Sequence, residues 1–398
     1  IMLTLEKIIE AEEVLSHVAN NTDILEMPIK CDNEVYLKTE NLQVTGSFKV
    51  RGAYYKISKL TDEQRKRGVI ACSAGNHAQG VALAAKHFGI PAIICLPEGA
   101  PISKIEATKS YGAQTVLVPG VYDDAYAKAL EMQKQCNYTF IHPFDDEDVI
   151  AGQGTIGYEI LQEMPSLDAI VVPIGGGGLI SGVAFAAKKI KPSIKIYGVQ
   201  ARNASSMYNS IKEGRAIRLA SVHTLADGIA VKQPGELTFE LCKEYVDEIV
   251  TVDEKEIYTA ILTMIEKKKI VSEGAGAVAL AATMFNKLPI KGKKVCCLVS
   301  GGNIDVNRLS RVITQGLLNS GRRCLITIQL QDTPGQLSDS LRCVAQLGAN
   351  VISAHHERLA SSGDIDTCYL RLELETRDFE HIADVKKALV DAGFKIRE

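Results

Sequence analysis

Short apolar runs alternate with helical patterns along most of the chain. Several of the runs pass through glycine-containing turns into amphipathic helical segments, as at Asn76–Phe88 and Gly178–Lys191. Nearly continuous β-branched strands separated by helices are typical of a parallel sheet buried on both faces. Ligands of such sheets bind beyond the carboxyl ends of the strands, so we expect a site at the turns that follow them. The runs that predict strands are Val69–Ser73, Ala92–Leu96, Thr115–Val118, Ala169–Ile174, Ile194–Val199 and Val295–Val299.

We predict that this α/β part of the chain covers residues 1–320 and has two lobes. A small lobe, roughly 50–144, is inserted in a large lobe built from both flanks. A second domain, 323–398, follows the turn at Asn319–Gly321. Its alternating strands and helical spacings give the order βαββαβ, which predicts a small α+β domain of the ferredoxin-like type. The residues behind that order are Ile326, Ile328, Leu330, Leu337, Leu341, Val344, Val351–His356, Cys368, Leu370, Leu372, Leu374, Ile382, Val385, Leu389 and Phe394–Ile396.

Length and charge narrow the function classes. A chain of 398 residues is long enough for two or three domains. The formal net charge of −3 provides no basic surface for nucleic acid or an anionic membrane. The sequence contains no apolar run of about 18 residues and no secretory signal pattern at its start. Ten cysteines without C-x-x-C spacing indicate reduced thiols, a cytoplasmic location and no metal site.

Two candidate motifs carry side-chain chemistry in the first half of the chain. Lys49 lies in Thr45–Ala53, among glycine, serine and an aromatic residue; it is either a solvated turn lysine or an amine with a lowered pKa that can form a Schiff base. Ser73–Gly80 follows a strand and opens a helix, which creates an anion site at the helix N-terminus. Within it, Asn76 either caps the helix or orients a ligand, and His77 either has a structural role or transfers a proton.

Two glycine-rich turns complete the set. Gly175, Gly176, Gly177, Gly178 and Leu179 end a buried strand, where four glycines weaken a strand but allow backbone N–H groups to surround a phosphate. Ser300 opens the turn Ser300–Asn303, and its hydroxyl either bonds its own turn or a ring nitrogen. Phosphate, aldehyde and ring heteroatoms are the groups these four motifs would hold together. Pyridoxal phosphate carries all of them.

The four motifs in this order resemble the fold-type II pyridoxal-phosphate enzymes, and most of all the threonine dehydratases, over roughly residues 5–320. The resemblance implies the tryptophan synthase β-like fold. It implies that Lys49 bonds the cofactor aldehyde, Phe48 packs near the ring, Asn76 bonds the phenolic oxygen and Ser300 faces the pyridine nitrogen. The glycine loop and Leu179 would hold the phosphate. The substrate carboxylate would be bound by Ser73, Ala74, Gly75, Asn76 and His77.

The reaction implied is β-elimination from L-threonine to 2-oxobutanoate and ammonia, with L-serine giving pyruvate. A serine racemase or serine dehydratase is the nearest alternative. The racemase family has a serine where this chain has Ala74, and its acidic metal ligands fall where this chain reads Gln200–Ser206. We therefore expect dehydration and no divalent metal. A non-catalytic sensor that keeps the cofactor fold is a further alternative.

The C-terminal domain resembles an ACT domain, a regulatory ligand-binding module, through Asp332–Leu337. The resemblance implies an amino-acid effector, isoleucine or valine, held between two ACT domains. Its residues would include Asp332, Gly335, Gln336, Leu337 and Asn350. Oligomerisation without an effector is the alternative, and a homo-oligomer, dimer or tetramer, is expected in either case. Because the chain has one such unit, a role in isoleucine biosynthesis and a catabolic role both stay open.

Overall fold

The computed structural model describes residues 3–358 and 366–397. The backbone divides into two compact units that meet at Val306 and Asn307. This division lies earlier in the chain than the boundary at 320 predicted from the sequence. The predicted domains 1–320 and 323–398 include residues 1–2, 359–365 and 398, which lie outside the described residues.

The first unit contains two sheets. Its strands are β1 Ile24–Glu26, β2 Glu34–Lys38, β3 Val69–Cys72, β4 Ala92–Pro97, β5 Gln114–Val118, β6 Thr139–Phe140, β7 Ala169–Pro173, β8 Lys195–Ala201, β9 Glu248–Val252 and β10 Lys294–Leu298. One sheet has the order β1-β2-β10-β7-β8-β9 and is parallel except at the β1–β2 pair. The other has the order β5-β4-β3-β6 and is parallel throughout.

Helices cover both sheets. They are α1 Leu5–Leu15, α2 Lys49–Ser58, α3 Asp62–Arg67, α4 Asn76–His87, α5 Ile102–Ser110, α6 Tyr122–Cys136, α7 Glu147–Glu163, α8 Gly178–Ile190, α9 Ser206–Glu213, α10 Glu236–Tyr245, α11 Glu254–Lys268 and α12 Gly274–Met284. The central strands of both sheets are mostly buried, and β3 and β7 are buried at every residue, whereas the edge strands β5 and β6 have no fully buried residue. The predicted parallel sheet with helices on both faces is therefore confirmed. The four-stranded sheet comes entirely from residues 69–140, and the six-stranded sheet comes from both flanks.

Close helix contacts set the positions of α2, α7 and α8. A Cβ added at Gly152 of α7 would lie 2.7 Å from the carbonyl oxygen of Arg51 in α2. A Cβ added at Gly182 of α8 would lie 2.3 Å from the carbonyl oxygen of Ile150 in α7. Glycine at these positions lets the backbones approach to distances that no side chain would allow. The N-terminus of α2, where Lys49 lies, is held in place by this packing.

A buried ionic cluster fixes α2 from its other side. The Arg51 guanidinium donates two hydrogen bonds to Glu40, at 2.9 and 2.8 Å, and also bonds Glu159 of α7. Lys38 of β2 lies 2.8 Å from Glu159. All four side chains are almost fully buried. Paired and hydrogen-bonded in this way, the charges hold the start of α2 against β2 and α7, because breaking one pair would leave a bare buried charge.

The second unit begins within α13 Val306–Asn319 and also contains β11 Arg323–Gln331, α14 Gln336–Gln346, β12 Asn350–Glu357, β13 Thr367–Glu375, α15 Phe379–Asp391 and β14 Lys395–Arg397. Its sheet is antiparallel with the order β12-β13-β11-β14. From β11 onward the elements follow the predicted order βαββαβ. Alternate residues of β11 and β13 pack against helices α14 and α15, and together these residues form a separate hydrophobic core. Over the ranges that the structure describes, no helix has the length and apolar character needed to cross a membrane.

Candidate active site

Three predicted motifs meet where α2 begins. The backbone N–H of Phe48 donates to the carbonyl oxygen of Ser300 at 3.1 Å, and Ser47 forms an isolated bridge with Gly301. Ser300 follows β10 and is 2% exposed. The amide nitrogen of Asn303 donates both to the Thr45 carbonyl, at 2.7 Å, and to the side-chain oxygen of Asn76, at 2.9 Å. The loop before α2, the start of α4 and the turn after β10 therefore form one cluster.

Lys49 is half-buried, and its ammonium nitrogen donates to the carbonyl oxygen of Pro143 at 2.7 Å. The nitrogen lies 5.3 Å from the centre of the Phe48 ring. Desolvation lowers the pKa of Lys49 to about 8, against a smaller opposing effect of Glu273. A carbonyl oxygen accepts a hydrogen bond without neutralising the charge, so this amine loses its proton far more readily than an ordinary lysine.

The Ser73–His77 loop joins β3 to α4. The Ser73 hydroxyl accepts from the N–H of Gly75 at 3.1 Å, which folds the loop back before the helix begins. Asn76, the first residue of α4, does not cap the helix; its amide nitrogen donates to Glu273 at 2.7 Å. Ala74 provides a methyl group and no acid or base.

His77 points into the protein interior. It is 3% exposed, and its Nε2 lies 2.8 Å from the carbonyl oxygen of Ile141. Burial and then the Lys49 charge lower the pKa of His77 to about 3, so the ring is neutral and Nε2–H is the donor to that carbonyl. This arrangement favours the structural interpretation of His77 over proton transfer.

The glycine loop lies between β7 and α8. Gly177 has φ +102°, a left-handed conformation that favours glycine, and a Cβ there would lie 2.7 Å from Met207 and Thr238. A Cβ at Gly176 would lie 2.4 Å from the Phe144 ring. The first hydrogen bond into α8 runs from Ser181 N–H to the Gly177 carbonyl. The N–H groups of Gly178, Leu179 and Ile180 therefore precede the helical ladder and are available to an anion.

The segment His142–Asp146 connects the lysine to the glycine loop. Pro143 accepts the Lys49 hydrogen bond, and the next residue, Phe144, packs on Gly176 and Gly178. The His142 ring nitrogen Nδ1 accepts the N–H groups of Phe144 and Asp145, which fixes the turn. This segment is not among the site residues predicted from the sequence, because nothing in its pattern shows that a main-chain carbonyl would hold the lysine.

Glu273 is a second site residue that sequence reasoning missed. It is 5% exposed, directly precedes α12 and bonds Asn76. Burial, and then the negative charge of Asp227, raise the pKa of Glu273 to about 7. Its sequence signal is the glycine-rich stretch Ser272–Gly276 at the start of an apolar helical segment, which has the same character as the other motifs.

These residues fit pyridoxal phosphate. Lys49 offers an amine with a lowered pKa to an aldehyde. The loop at Gly176–Gly178 leaves no room for side chains and ends at a helix N-terminus, as phosphate binding requires. Asn76 retains a second amide hydrogen for a ring substituent.

The predicted effector residues do not come together within one copy. In the sheet register, Asn350 and Arg323 both lie level with Glu375, whereas the other end of β11, Gln331, pairs with Thr367. Gly335 follows Gln331, so it lies at the end of the sheet opposite to Asn350. At about 3.3 Å per residue the two ends are roughly 25 Å apart. The remaining residues, Asp332, Gln336 and Leu337, lie beside Gly335.

Comparison with known proteins identifies the family of the chain. The family model described as pyridoxal-phosphate dependent enzyme matches residues 16–301. The chain belongs to this family. The chain is 52% identical over 399 residues to an L-threonine ammonia-lyase of Thermotoga maritima, and the alignment covers 100% of this chain and 99% of the relative.

Known structures give the same fold, the fold-type II architecture of pyridoxal-phosphate enzymes. The processed form of threonine deaminase isoform 2 from Solanum lycopersicum is 38% identical with a TM-score of 0.75, covering 79% of this chain and 88% of that one. Maize serine racemase is 36% identical with a TM-score of 0.74, covering 79% of this chain and 98% of that one.

Gln200 begins the segment Gln200–Ser206 that was compared above with the racemase metal ligands. In this enzyme its side chain donates to the Ile174 carbonyl and accepts from the N–H of Tyr208, so it supports the fold.

Proposed function

We propose that this enzyme converts L-threonine to 2-oxobutanoate and ammonia by β-elimination, and L-serine to pyruvate as a secondary reaction. The observation that carries the proposal is the Lys49 amine. It is partly shielded, has a lowered pKa, and lies where the loops of the site meet. The full-length relative named L-threonine ammonia-lyase supports the choice of substrate.

The residues that would hold the cofactor follow from the site. Lys49 would bond its aldehyde, Phe48 would pack near its ring, and Asn76 would donate to its phenolic oxygen. Gly175, Gly176, Gly177, Gly178 and Leu179 would bind its phosphate. When bound, pyridoxal phosphate supplies an electron sink for the bond broken at the substrate α-carbon.

The protein's own contribution is positioning and proton transfer. Lys49 would take the α-proton of the substrate, a role for which a pKa near 8 is well matched. The Ser73–His77 loop would orient the substrate carboxylate with the Ser73 hydroxyl and the backbone N–H groups of Ala74, Asn76 and His77, while the Gly75 N–H is bonded to Ser73. Ser300 would face the pyridine nitrogen with a neutral hydroxyl, which favours elimination over reactions that need a protonated ring.

Elimination is preferred to racemisation because of Ala74. Racemisation needs a second acid or base on the face opposite to Lys49, and a methyl group provides none. The experiment measures 2-oxo acid release and D-serine formation from L-serine, with L-threonine in parallel. We expect 2-oxo acids from both substrates, and D-serine at less than about one per hundred turnovers, since general acid–base catalysis typically contributes 10²–10⁴-fold. Predominant D-serine would establish the racemase alternative, and no turnover would favour a sensor.

For the second unit we propose an ACT domain that binds isoleucine or valine between two copies of the chain in a homo-oligomer. The positions of Gly335 and Asn350 at opposite ends of the sheet support a site shared by two copies, because one small amino acid cannot span them. Gly335 has φ +96° at the start of α14, where backbone N–H groups are free to bind a carboxylate.

We also propose a cytoplasmic location for the protein, which the ten free cysteines support.

The effector proposal is tested by turnover of threonine with and without isoleucine or valine. Gly335→Val strains the start of α14 and is expected to abolish the response while leaving basal turnover within about twofold, since the unit folds around its own core. A response that survives this change would place the effector elsewhere. The absence of any response would leave the unit as an oligomerisation element.

A further inference from the structure

The amide of Asn76 is held from two sides. Its nitrogen donates to Oε1 of Glu273 at 2.7 Å, and its oxygen accepts from the amide nitrogen of Asn303 at 2.9 Å. Asn76 is half-buried and opens α4 next to the lysine site. Both partners come from other segments, the residue before α12 and the turn after β10.

Asn303 fixes which way round the Asn76 amide lies. The Asn303 nitrogen also donates to the carbonyl oxygen of Thr45, at 2.7 Å. An amide nitrogen has two hydrogens, so both are used, and the atom of Asn76 that faces Asn303 must be an acceptor. The nitrogen of Asn76 then faces Glu273 and keeps one hydrogen for a ligand.

Glu273 is enclosed by glycines. A Cβ at Gly301 would lie 2.5 Å from its Oε1, and one at Gly228 would lie 3.3 Å away. The ionisable groups that act on it are Lys49, Lys104 of α5 and Asp227. The carboxyl is thus tightly placed, bonded to Asn76 and within electrostatic reach of Lys49.

We propose that Glu273 is a positioning residue that acts through Asn76. It keeps one amide N–H of Asn76 available to the ring oxygen of the cofactor, and its own change of charge is felt by the bound cofactor. With burial raising its pKa to about 7, Glu273 changes charge near neutral pH. This inference rests on the proposed cofactor site and not on the identity of the substrate.

Two variants separate orientation from charge. Glu273→Gln retains a carbonyl oxygen that accepts the Asn76 N–H but carries no charge, whereas Glu273→Ala loses both. We expect the dissociation constant of pyridoxal phosphate to stay within about twofold in Glu273→Gln and to rise roughly tenfold in Glu273→Ala. Equal affinities for wild type and Glu273→Ala would overturn the orienting role.

The charge is tested by titrating the visible absorbance of the bound cofactor with pH. We expect a step near pH 7 in the wild-type enzyme that disappears in Glu273→Gln. A matched control is Glu12→Gln in α1, because burial also raises the pKa of the half-buried Glu12 to about 7 but Glu12 lies outside the site; this variant should keep the step. A wild-type enzyme without the step, or a Glu273→Gln enzyme that keeps it, would overturn the proposal.

The same titration distinguishes this inference from the proposed function. An enzyme that shows the step but does not release a 2-oxo acid from threonine would refute the proposed reaction and support the role of Glu273. An enzyme that turns over threonine without an absorbance step near pH 7 would support the proposed reaction and refute the role of Glu273. A purely structural role would lower the stability of both variants without changing the pH at which the cofactor absorbance titrates.

Discussion

The Lys49 ammonium nitrogen lies 2.7 Å from the carbonyl oxygen of Pro143. That oxygen accepts a hydrogen bond from the charged or the neutral amine, so it holds the side chain in place without stabilising the charge as a carboxylate would. Desolvation therefore dominates, and the pKa of Lys49 falls to about 8. The site keeps an ordered amine that is partly unprotonated near neutral pH, which is what reaction with an aldehyde needs.

Capture of the cofactor should follow the titration of Lys49. The neutral amine is the reactive form, and its fraction rises with pH and levels off above about 8 instead of above 10.5. We expect the rate at which the cofactor-free protein binds pyridoxal phosphate to rise nearly tenfold from pH 6 to 7 and to change little above pH 9. Stopped-flow absorbance measures this rate. A rate that still rises steeply at pH 10 would contradict the lowered pKa.

Gly177→Ala should weaken both folding and cofactor binding. Its positive φ and the contacts of a new Cβ with Met207 and Thr238 together cost about 3 kcal/mol of unfolding free energy. Gly89→Ala is the matched control, because Gly89 has φ +63° but open space around it, so it should cost about 1 kcal/mol and leave cofactor affinity unchanged. Denaturant titration and cofactor binding measure the two effects. Equal costs in the two variants would mean that the glycine loop is not tightly packed.

Arg51→Lys should lower the unfolding free energy of the first unit by about 3–5 kcal/mol. A lysine ammonium cannot form the hydrogen bonds that the Arg51 guanidinium makes to Glu40 and Glu159 at the same time in the buried cluster. Arg218→Lys, in an exposed pair with Asp123, is the control and should cost less than about 1 kcal/mol. Denaturant unfolding at pH 7 compares them. A loss below about 1 kcal/mol for Arg51→Lys would show that the cluster tolerates an unpaired carboxylate.

The same cluster predicts a pH dependence. Burial alone would raise the pKa of Glu40, but the Arg51 charge and its hydrogen bonds bring it below the ordinary value of 4.5. The stability that Glu40 contributes is therefore present above that ordinary value and is lost as the pH falls through its lower folded value. Unfolding free energy measured from pH 7 to pH 3 should decline at the acid end, and the decline should be shallower in Glu40→Gln. Equal slopes would assign acid sensitivity to other groups.

The strands that were predicted from the sequence are those with nearly continuous apolar residues. Val69–Cys72 and Ala169–Pro173 are buried on both faces, so their composition alone marks them. The missed strands are short or mixed: β2 carries Glu34 and Lys38, β6 has two residues, and β9 is half-exposed at the sheet edge. Their pairing with longer neighbours makes them strands, and pairing across the chain leaves no local pattern.

The motif residues could be predicted from the sequence because glycine and lysine at strand ends have few structural explanations. The residues that bond to them could not be predicted. Glu273 lies 197 positions from Asn76 and Pro143 lies 94 positions from Lys49, and a main-chain acceptor such as the Pro143 carbonyl has no residue type to recognise. The separation of Gly335 from Asn350 likewise depends on strand register, which only the three-dimensional sheet determines.

The most direct test of the central claim is the release of 2-oxobutanoate and ammonia from L-threonine by the cofactor-loaded enzyme, beside Lys49→Ala. We predict equal amounts of the two products from the wild type, and a loss of at least about a thousandfold in Lys49→Ala, since general base catalysis and cofactor attachment are removed together. Turnover that persists in Lys49→Ala, or a wild-type enzyme that binds pyridoxal phosphate through Lys49 but leaves threonine unchanged, would contradict the account.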